Sequence, residues 1–182
     1  MGAAGRGEEA QRLRWTAFEE RLSAERLREF LKRLPDFEDV EAEERAMAHA
    51  LAFRSFAAAL AFLVGWLDAA RAARLLLARS AEIDGDLYEL LEPAARLLEA
   101  KHPLAATLLR RAMVENTLKG AKSGRYRHAA RHLLECRALA AVIGDFGTFE
   151  THEVFLGRLR AEHGRKAGFW AAVGEAAGDR GL

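Results

Sequence analysis

The sequence has one cysteine, Cys136, and three prolines among its 182 residues, and the β-branched residues that strands prefer are scarce. A single cysteine excludes an internal disulfide and every zinc motif that is built on paired cysteines. It is also typical of a protein from a reducing compartment, so we expect a cytoplasmic location. The shortage of strand formers and of helix breakers argues against a β-rich fold.

Long apolar runs are absent as well. The longest run covers residues 57–67, whereas a helix needs about 20 apolar residues to cross a bilayer. The N-terminal stretch, MGAAGRGEEAQ, lacks the apolar centre of a secretory signal peptide. We therefore expect no membrane partner.

Strong helix formers, namely alanine, leucine, arginine and glutamate, dominate what is present. Apolar residues make up 51% of the chain and charged residues 30%, which indicates a folded chain and not a disordered one. Apolar side chains recur at helical spacing in segments of about 10–18 residues that short turns separate. The pattern predicts an all-α protein of about nine or ten helices, stacked as antiparallel hairpins.

Helix pairs recur along the chain from Ser55 onward. Pairs that start near Ser55, Asp86 and Arg125 are 31 and 39 residues apart, close to the interval of about 34 residues in tetratricopeptide repeats. We therefore expect a tetratricopeptide-like α-α superhelix, in which each helix pair packs on its neighbours.

The expected layout is one helical domain over residues 1–182. It comprises a flexible lead-in at 1–10, N-terminal helices at 11–52, repeat-like helix pairs at 55–170 and a flexible tail at 178–182. Helices are expected to begin where a short polar side chain can accept a hydrogen bond from the first turn. These capping residues are Ser23, Ser55, Asp68 and Asp86.

Three side chains that can bind metal lie in the stretch YRHAARHLLEC, residues 126–136. His128, His132 and Cys136 follow one another at intervals of four, so a helix places them along one side, at the border of its apolar face. Such a ladder could bind zinc and would fit a metal-dependent hydrolytic enzyme. The other interpretation is that they are boundary residues that pack on neighbouring helices. It is favoured because the sequence has no HExxH or CxxC motif.

No other pattern indicates catalysis. The sequence has no recognisable Ser-His-Asp or Cys-His arrangement and no glycine-rich phosphate loop after a strand. We therefore predict no catalytic residue and no cofactor, and a protein that is not an enzyme is favoured.

Charge is divided unevenly along the chain. Residues 1–100 carry 14 Lys and Arg against 19 Asp and Glu, a net charge of −5, and residues 101–182 carry 14 against 8, a net charge of +6. Basic residues near aromatic ones can bind nucleic acid, but the sequence pI of 8.0 is below that of most dedicated nucleic-acid modules. A protein or peptide partner is therefore favoured. The candidate contact residues are Arg125, Arg127, Arg131, Arg158, Arg165 and Lys166.

Four segments resemble a bacterial family of uncharacterised proteins. They are LARSAEIDGDLYELLEPAARLLEA (77–100), HPLAATLLRRAM (102–113), SGRYRHAARHLLEC (123–136) and HGRKAGFW (163–170), within a similarity that covers about residues 55–170. The resemblance implies an all-helical, tetratricopeptide-like fold, and it implies no established activity, cofactor or catalytic residue. Members of that family tend to be longer, so we expect the chain to correspond to the C-terminal part of such a protein.

The function that these patterns favour is a non-catalytic helical-repeat module for protein–protein interaction. Stacked helix pairs form an extended concave surface that suits peptides or partner helices. The alternatives are a metal-dependent hydrolase that uses His128 and His132, and nucleic-acid binding through the basic second half.

Overall fold

The computed structural model describes residues 2–179, and in that part of the chain all regular structure is helical. Two short 3-10 turns, Ser80–Glu82 and Ser123–Arg125, accompany the α-helices. The predicted all-α class and the predicted number of helices are thus confirmed for residues 2–179. The ten α-helices are α1 (Ala3–Arg21), α2 (Ala24–Leu31), α3 (Glu38–Leu51), α4 (Phe56–Gly65), α5 (Ala69–Ala78), α6 (Tyr88–Leu98), α7 (Pro103–Lys119), α8 (Tyr126–Ala140), α9 (His152–His163) and α10 (Ala167–Asp179).

Three of the four expected capping residues act as predicted. Ser23, Ser55 and Asp68 each accept a hydrogen bond from the backbone N–H three residues later, at 3.3, 3.2 and 3.0 Å. Each bond satisfies one of the N–H groups that a helix leaves unpaired in its first turn. The starts of α2, α4 and α5 were therefore readable from the sequence.

The expected cap at Asp86 is wrong. Helix α6 begins at Tyr88, after Leu87, and no side chain caps it. The Asp86 carboxylate instead accepts hydrogen bonds from Lys122 Nζ at 2.6 Å and from Asn116 Nδ2 at 3.3 Å. These bonds tie the turn before α6 to the C-terminal end of α7.

Residues 3–10 belong to α1, although the sequence predicts a flexible lead-in there. Gly2 has an extended backbone and precedes the helix. Gly5 and Gly7 each disfavour a helix by about 1 kcal/mol relative to alanine. The helix formers that come after them, Glu8 to Gln11, offset this cost because they continue directly into the amphipathic segment of α1.

The chain divides into two compact units, residues 1–75 and residues 76–182. A compact unit is a domain only if it folds independently, so the expected single domain stays a prediction. Within the expected tail, residues 178 and 179 are part of α10, and residues 180–182 lie outside the described part of the chain. No helix within residues 2–179 is both long and apolar enough to span a membrane.

In the first unit, α1 and α2 pack in opposite directions. Gln11 Nε2 donates to the Phe30 carbonyl at 3.1 Å, and Arg14 lies 3.7 Å from the Glu29 carboxylate. As the residue number rises on α1 it falls on α2, which defines an antiparallel hairpin. The buried surface between the helices of this unit is mostly aromatic and aliphatic, with Phe18 and Leu27 fully buried.

In the second unit, α7 lies between α6 and α8, and α8 also packs on α10. Cys136 Sγ lies 3.9 Å from the Thr107 carbonyl, and the His132 ring lies 3.1 Å from the Arg110 guanidinium. Because 107 meets 136 while 110 meets 132, α7 and α8 run antiparallel. The predicted antiparallel packing is therefore present in this pair as well.

Candidate functional site: a cleft along α7

Helix α7 is buried on nearly all sides, and this sets it apart from the amphipathic helices around it. A helix that is apolar on all sides belongs in a core, so a charged side chain on it has little access to water. Within residues 4–178, all polar or charged residues that are buried belong to α7 or to the facing α8. They are Thr107, Arg110, Arg111, Thr117 and His132.

A cleft of about 630 Å³ runs along one face of α7. Its other walls come from the turn before α6, from the loop between α8 and α9, and from α9 itself. The residues of α7 that line it lie three, four, seven, eight and eleven positions after Leu108, as one helix face requires. The main lining residues are Ser80, Ile83, Asp84, Gly85, Leu108, Arg111, Ala112, Glu115, Asn116, Lys119, Phe149, Glu150, Phe155 and Arg158.

Gly85 lets the turn before α6 approach α7 closely. A Cβ atom at this position would lie 2.0 Å from the Ala112 carbonyl oxygen and 2.8 Å from Asn116 Cβ. Any other residue would therefore push this wall of the cleft away from α7. Gly85 thus sets the width of the cleft at this end.

Arg111 is the most unusual side chain of the cleft. It is only 6% exposed, and its Nη1 donates to the Glu150 carbonyl at 2.8 Å. Its Nε and Nη2 atoms are buried and have no hydrogen-bond partner. The rings of Phe155 and Phe146 lie 4.6 and 5.6 Å from its guanidinium carbon, and burial lowers the pKa of the group.

The two unpaired donors of Arg111 are costly. A buried donor without an acceptor costs about 1–3 kcal/mol, and more when the group is charged. Nε–H and one Nη2–H point in the same direction from one edge of the planar guanidinium, which is the edge that binds both oxygens of a carboxylate. Arg111, which lines the cleft, therefore carries an unused fork of donors that other atoms of the wall cover.

Arg158 holds the loop between α8 and α9 against α7. Its guanidinium bonds to Glu150 at 2.9 and 3.1 Å and to Glu115 at 2.6 Å. The hydrogen bond to Glu150 is the largest of the causes that raise the pKa of Arg158 above its usual range. Arg158, which the sequence suggests as a partner contact, thus serves as an internal clamp of the cleft.

The His128, His132 and Cys136 side chains do not come together as a set of metal ligands. His128 is exposed and accepts from Arg131 at 2.6 Å, whereas His132 and Cys136 are buried. Burial raises the pKa of the Cys136 thiol to about 12, so the thiolate that binds metal is disfavoured. Within residues 2–179, no three His, Cys, Asp or Glu side chains form a group that could hold a metal ion.

One family model matches nearly all of the helices described above. The model of the family described as "Family of unknown function (DUF6880)" matches residues 1–172. The chain belongs to this family. No curated protein and no solved structure matches the chain significantly. The DUF6880 match includes the whole cleft and extends well beyond residues 55–170, where the sequence segments show a resemblance.

The remaining basic candidates of this DUF6880 protein lie in separate surroundings. The Arg125 guanidinium lies 3.8 Å from the centre of the Tyr88 ring. Arg127 and Arg131 line a second cleft, of about 400 Å³, together with His128 and Glu175. Two candidates lie in the turn between α9 and α10, the exposed Arg165 and the half-buried Lys166.

Sequence reasoning did not identify Arg111 as a site residue of this DUF6880 protein. The available signal was an Arg-Arg pair in the middle of HPLAATLLRRAM, within a helix that has apolar residues on all sides. Lys, Glu, Arg and Asp are rarely fully buried without a partner, so arginines in such a helix are candidates for a specific role.

Proposed function

We propose that this DUF6880 protein is a non-catalytic, tetratricopeptide-like interaction module of the bacterial cytoplasm that binds a peptide segment in the cleft along α7. The observation that carries the proposal is an open cleft of about 630 Å³ that combines apolar walls with the unused donors of Arg111. Binding sites for ligands typically have volumes of about 300–1,000 Å³ and combine apolar walls with a few polar groups that fix orientation.

The composition of the walls suits a peptide. Ile83, Leu108 and Phe149 provide apolar contact for side chains, and Ser80 and Asn116 provide groups that can bond to a peptide backbone. The antiparallel packing of α7 and α8 supports a tetratricopeptide-like arrangement, in which helix pairs form concave binding surfaces.

The outer basic residues supply further partner contacts in this proposal. Arg127 and Arg131 line the second cleft, and both are exposed. Exposed cations of this kind mainly speed up the encounter with an acidic partner and add little to affinity.

Peptide binding can be tested with the intact chain on an array of random 12-residue peptides, and then by fluorescence anisotropy of the peptides that it captures. Ala112→Leu adds three carbon atoms in the cleft, and we expect it to weaken binding about tenfold, because the ligand must give up the volume that the new side chain fills. Ala138→Leu is the matched control, since Ala138 is exposed on α8 and lines none of the clefts described above.

Circular dichroism of both variants checks that the helices are intact. The proposal would be contradicted if no peptide binds above background, or if Ala112→Leu and Ala138→Leu weaken binding equally. Tight binding of labelled single-stranded RNA in place of peptide, with a steep loss at high salt, would favour the nucleic-acid alternative.

A further inference from the structure

The Nε and Nη2 donors of Arg111 lack an acceptor, and Arg111 differs from two arginines near it in having no carboxylate partner. Arg110, the next residue on α7, pairs with Glu99 at 3.0 Å, and Arg158 pairs with Glu115 and Glu150. Arg111 pairs with no carboxylate within residues 2–179, and its one hydrogen bond there goes to a neutral carbonyl.

We propose that Arg111 is the binding site for a single carboxylate group, to which both unpaired donors, Nε–H and Nη2–H, donate parallel hydrogen bonds. The assignment rests on the proposed function only for the source of the carboxylate, which is the peptide in the cleft. A carboxylate is planar and has two oxygens at the spacing of the Nε–H and Nη2–H pair, so both donors are satisfied at once.

The charge balance of the cleft favours a group with one negative charge over a phosphate. The lining contains three cationic side chains and three carboxylates, so its formal net charge is zero. Arg158 already neutralises much of the charge of Glu115 and Glu150, and the buried charge that lacks a counterion is that of Arg111. A phosphate dianion would add a second negative charge next to these carboxylates, which is unfavourable at low dielectric.

The surroundings of Arg111 also specify the chemical group that is attached to the carboxylate. The Phe155 ring lies close to the guanidinium, and Leu108 and Phe149 line the same cleft. An apolar group next to the carboxylate would therefore contact apolar walls, while a second polar group would lose its water without a partner. The ligand group is thus a carboxylate on an apolar stem.

Entry of the ligand requires a shift in the wall of the cleft. The unpaired donors are excluded from solvent, so the incoming oxygens must displace atoms that cover them. Phe146, Phe149 and Glu150 belong to the loop between α8 and α9, which has no helical hydrogen-bond ladder. We therefore expect the shift to occur in this loop, although Arg158 bonds to Glu150. We therefore expect the backbone amide resonances of this loop to shift when the ligand binds.

The test of the subsite uses hexanoate, a carboxylate on an apolar stem, and does not depend on a known peptide. The intact, nitrogen-15-labelled chain is titrated with hexanoate, with uncharged hexanamide and with inorganic phosphate, while the Nε–H resonance of Arg111 is monitored by NMR. The resonance is assigned by its loss in Arg111→Lys. We expect it to shift with hexanoate and to stay in place with hexanamide.

Two matched variants test whether binding depends on the paired Nε–H and Nη2–H donors or only on the positive charge. Arg111→Lys keeps the positive charge but loses the paired donors, and we expect about tenfold weaker hexanoate binding. Arg110→Lys changes the neighbouring buried arginine, which does not line this cleft, and should leave the affinity unchanged. No shift with hexanoate, a larger shift with phosphate, or equal losses in the two variants would each overturn the proposal.

The captured peptides then identify the source of the carboxylate. Each is compared with a version that has an amidated C-terminus and with a version in which Asp and Glu become Asn and Gln. A loss of about tenfold in the first version assigns the C-terminal carboxylate, and a similar loss in the second assigns a side chain. If neither change weakens binding, the carboxylate assignment is wrong, even though peptide binding itself holds. If hexanoate binds while no peptide does, the subsite stands and the proposed function fails.

Discussion

The two compact units of the chain differ in whether their helical cores contain charged side chains. Both units bury aromatic, leucine and alanine side chains, but residues 1–75 keep charged groups at the edge, whereas residues 76–182 also bury two arginines and a histidine. Within residues 4–178, all the buried side-chain nitrogen and oxygen atoms that lack a partner belong to the second unit. The first unit has the core of a structural scaffold, and the second carries features that reduce stability.

In the first unit, cationic groups lie against the faces of aromatic rings. The Arg45 guanidinium lies 4.4 Å from the Trp15 ring centre, and that of Arg28 lies 4.9 Å from Trp66. Such contacts contribute about 0.5–1 kcal/mol at exposed sites, while the arginine keeps its contact with water. The arrangement stabilises the unit without burying a charge.

In the second unit, aromatic rings also lie near the Arg111 guanidinium, but there the charged group is buried and keeps nitrogens without an acceptor. Arg111 lacks acceptors for two of its nitrogens, and Arg110 lacks one for Nε. Buried polar groups that cost stability are found most often where a protein uses them. The contrast between the units therefore points to α7 as the functional element, independently of the volume of the cleft.

The largest effect that we predict is on the aromatic core of the first unit. Phe18 is fully buried, and its ring lies 5.4 Å from Trp15 and 5.5 Å from Phe62. Phe18→Ala should lower the free energy of unfolding by about 3–5 kcal/mol, because it removes buried apolar surface and leaves a cavity. Guanidinium denaturation monitored by tryptophan fluorescence measures this in a Trp170→Phe background, where both remaining tryptophans lie in the first unit.

The control for this substitution is Leu13→Ala on the same helix. Leu13 is 65% exposed, and a substitution at such a position changes stability by less than about 0.5 kcal/mol. A loss below about 1 kcal/mol for Phe18→Ala would show that the ring cluster is not the core of this unit.

The second prediction concerns the buried histidine of the second unit. The pKa of His132 is lowered to about 4, first because burial disfavours the charged ring and then because Arg110 lies 3.1 Å from Nδ1. In the unfolded chain the pKa is about 6.5. As the pH falls from about 6.5 to about 4, the unfolded state binds a proton that the folded state excludes, so stability is lost in this window and is fully present above it.

The size of this loss can be calculated from the difference in pKa. A shift of about 2.5 pH units corresponds to about 3 kcal/mol. His132→Gln keeps an acceptor for Arg110 and does not titrate, so its stability should depend less on pH than that of the native chain between pH 6.5 and 4. Denaturation at a series of pH values measures the difference, and an NMR titration of the ring proton gives the pKa directly. Parallel stability curves for the two proteins would contradict the prediction.

The sequence predicts the elements of the fold better than it predicts the site. Helical spacing and short polar caps such as Ser23 and Ser55 act locally, so the helix class and several helix starts can be inferred from neighbouring residues alone. Asp86 fails as a cap because a residue 36 positions away, Lys122, competes for its carboxylate. The cleft combines three segments that are distant in sequence, namely residues 80–85, 108–119 and 149–158, and no local pattern reports that Arg111 would line a cleft. The histidine ladder was correctly placed on a helix, but the burial of His132 and Cys136 depends on α7.

The smallest effect that we predict is the loss of stability when a surface ion pair is removed, compared with an ion pair that holds the cleft together. In the first unit, Arg71 bonds to Glu44 at 2.6 Å, and Glu44 is 64% exposed. Exposed pairs contribute about 0.2–1 kcal/mol because water and salt screen them. Glu44→Gln should therefore cost less than about 0.5 kcal/mol, and the difference from the native chain should shrink further in 1 M NaCl, where the Debye length falls to about 3 Å.

The matched substitution in the second unit is Glu115→Gln. Glu115 is 25% exposed and shares Arg158 with Glu150, so its loss weakens the clamp on the loop between α8 and α9. We expect a cost of about 1 kcal/mol that persists in 1 M NaCl, because a partly buried pair is screened less. Amide hydrogen exchange in residues 141–151 should also be faster in Glu115→Gln and unchanged in Glu44→Gln. Equal stability costs and equal exchange rates would mean that the ion pairs of the two units contribute alike. Ion pairs would then give no support to the distinction between a scaffold unit and a functional unit.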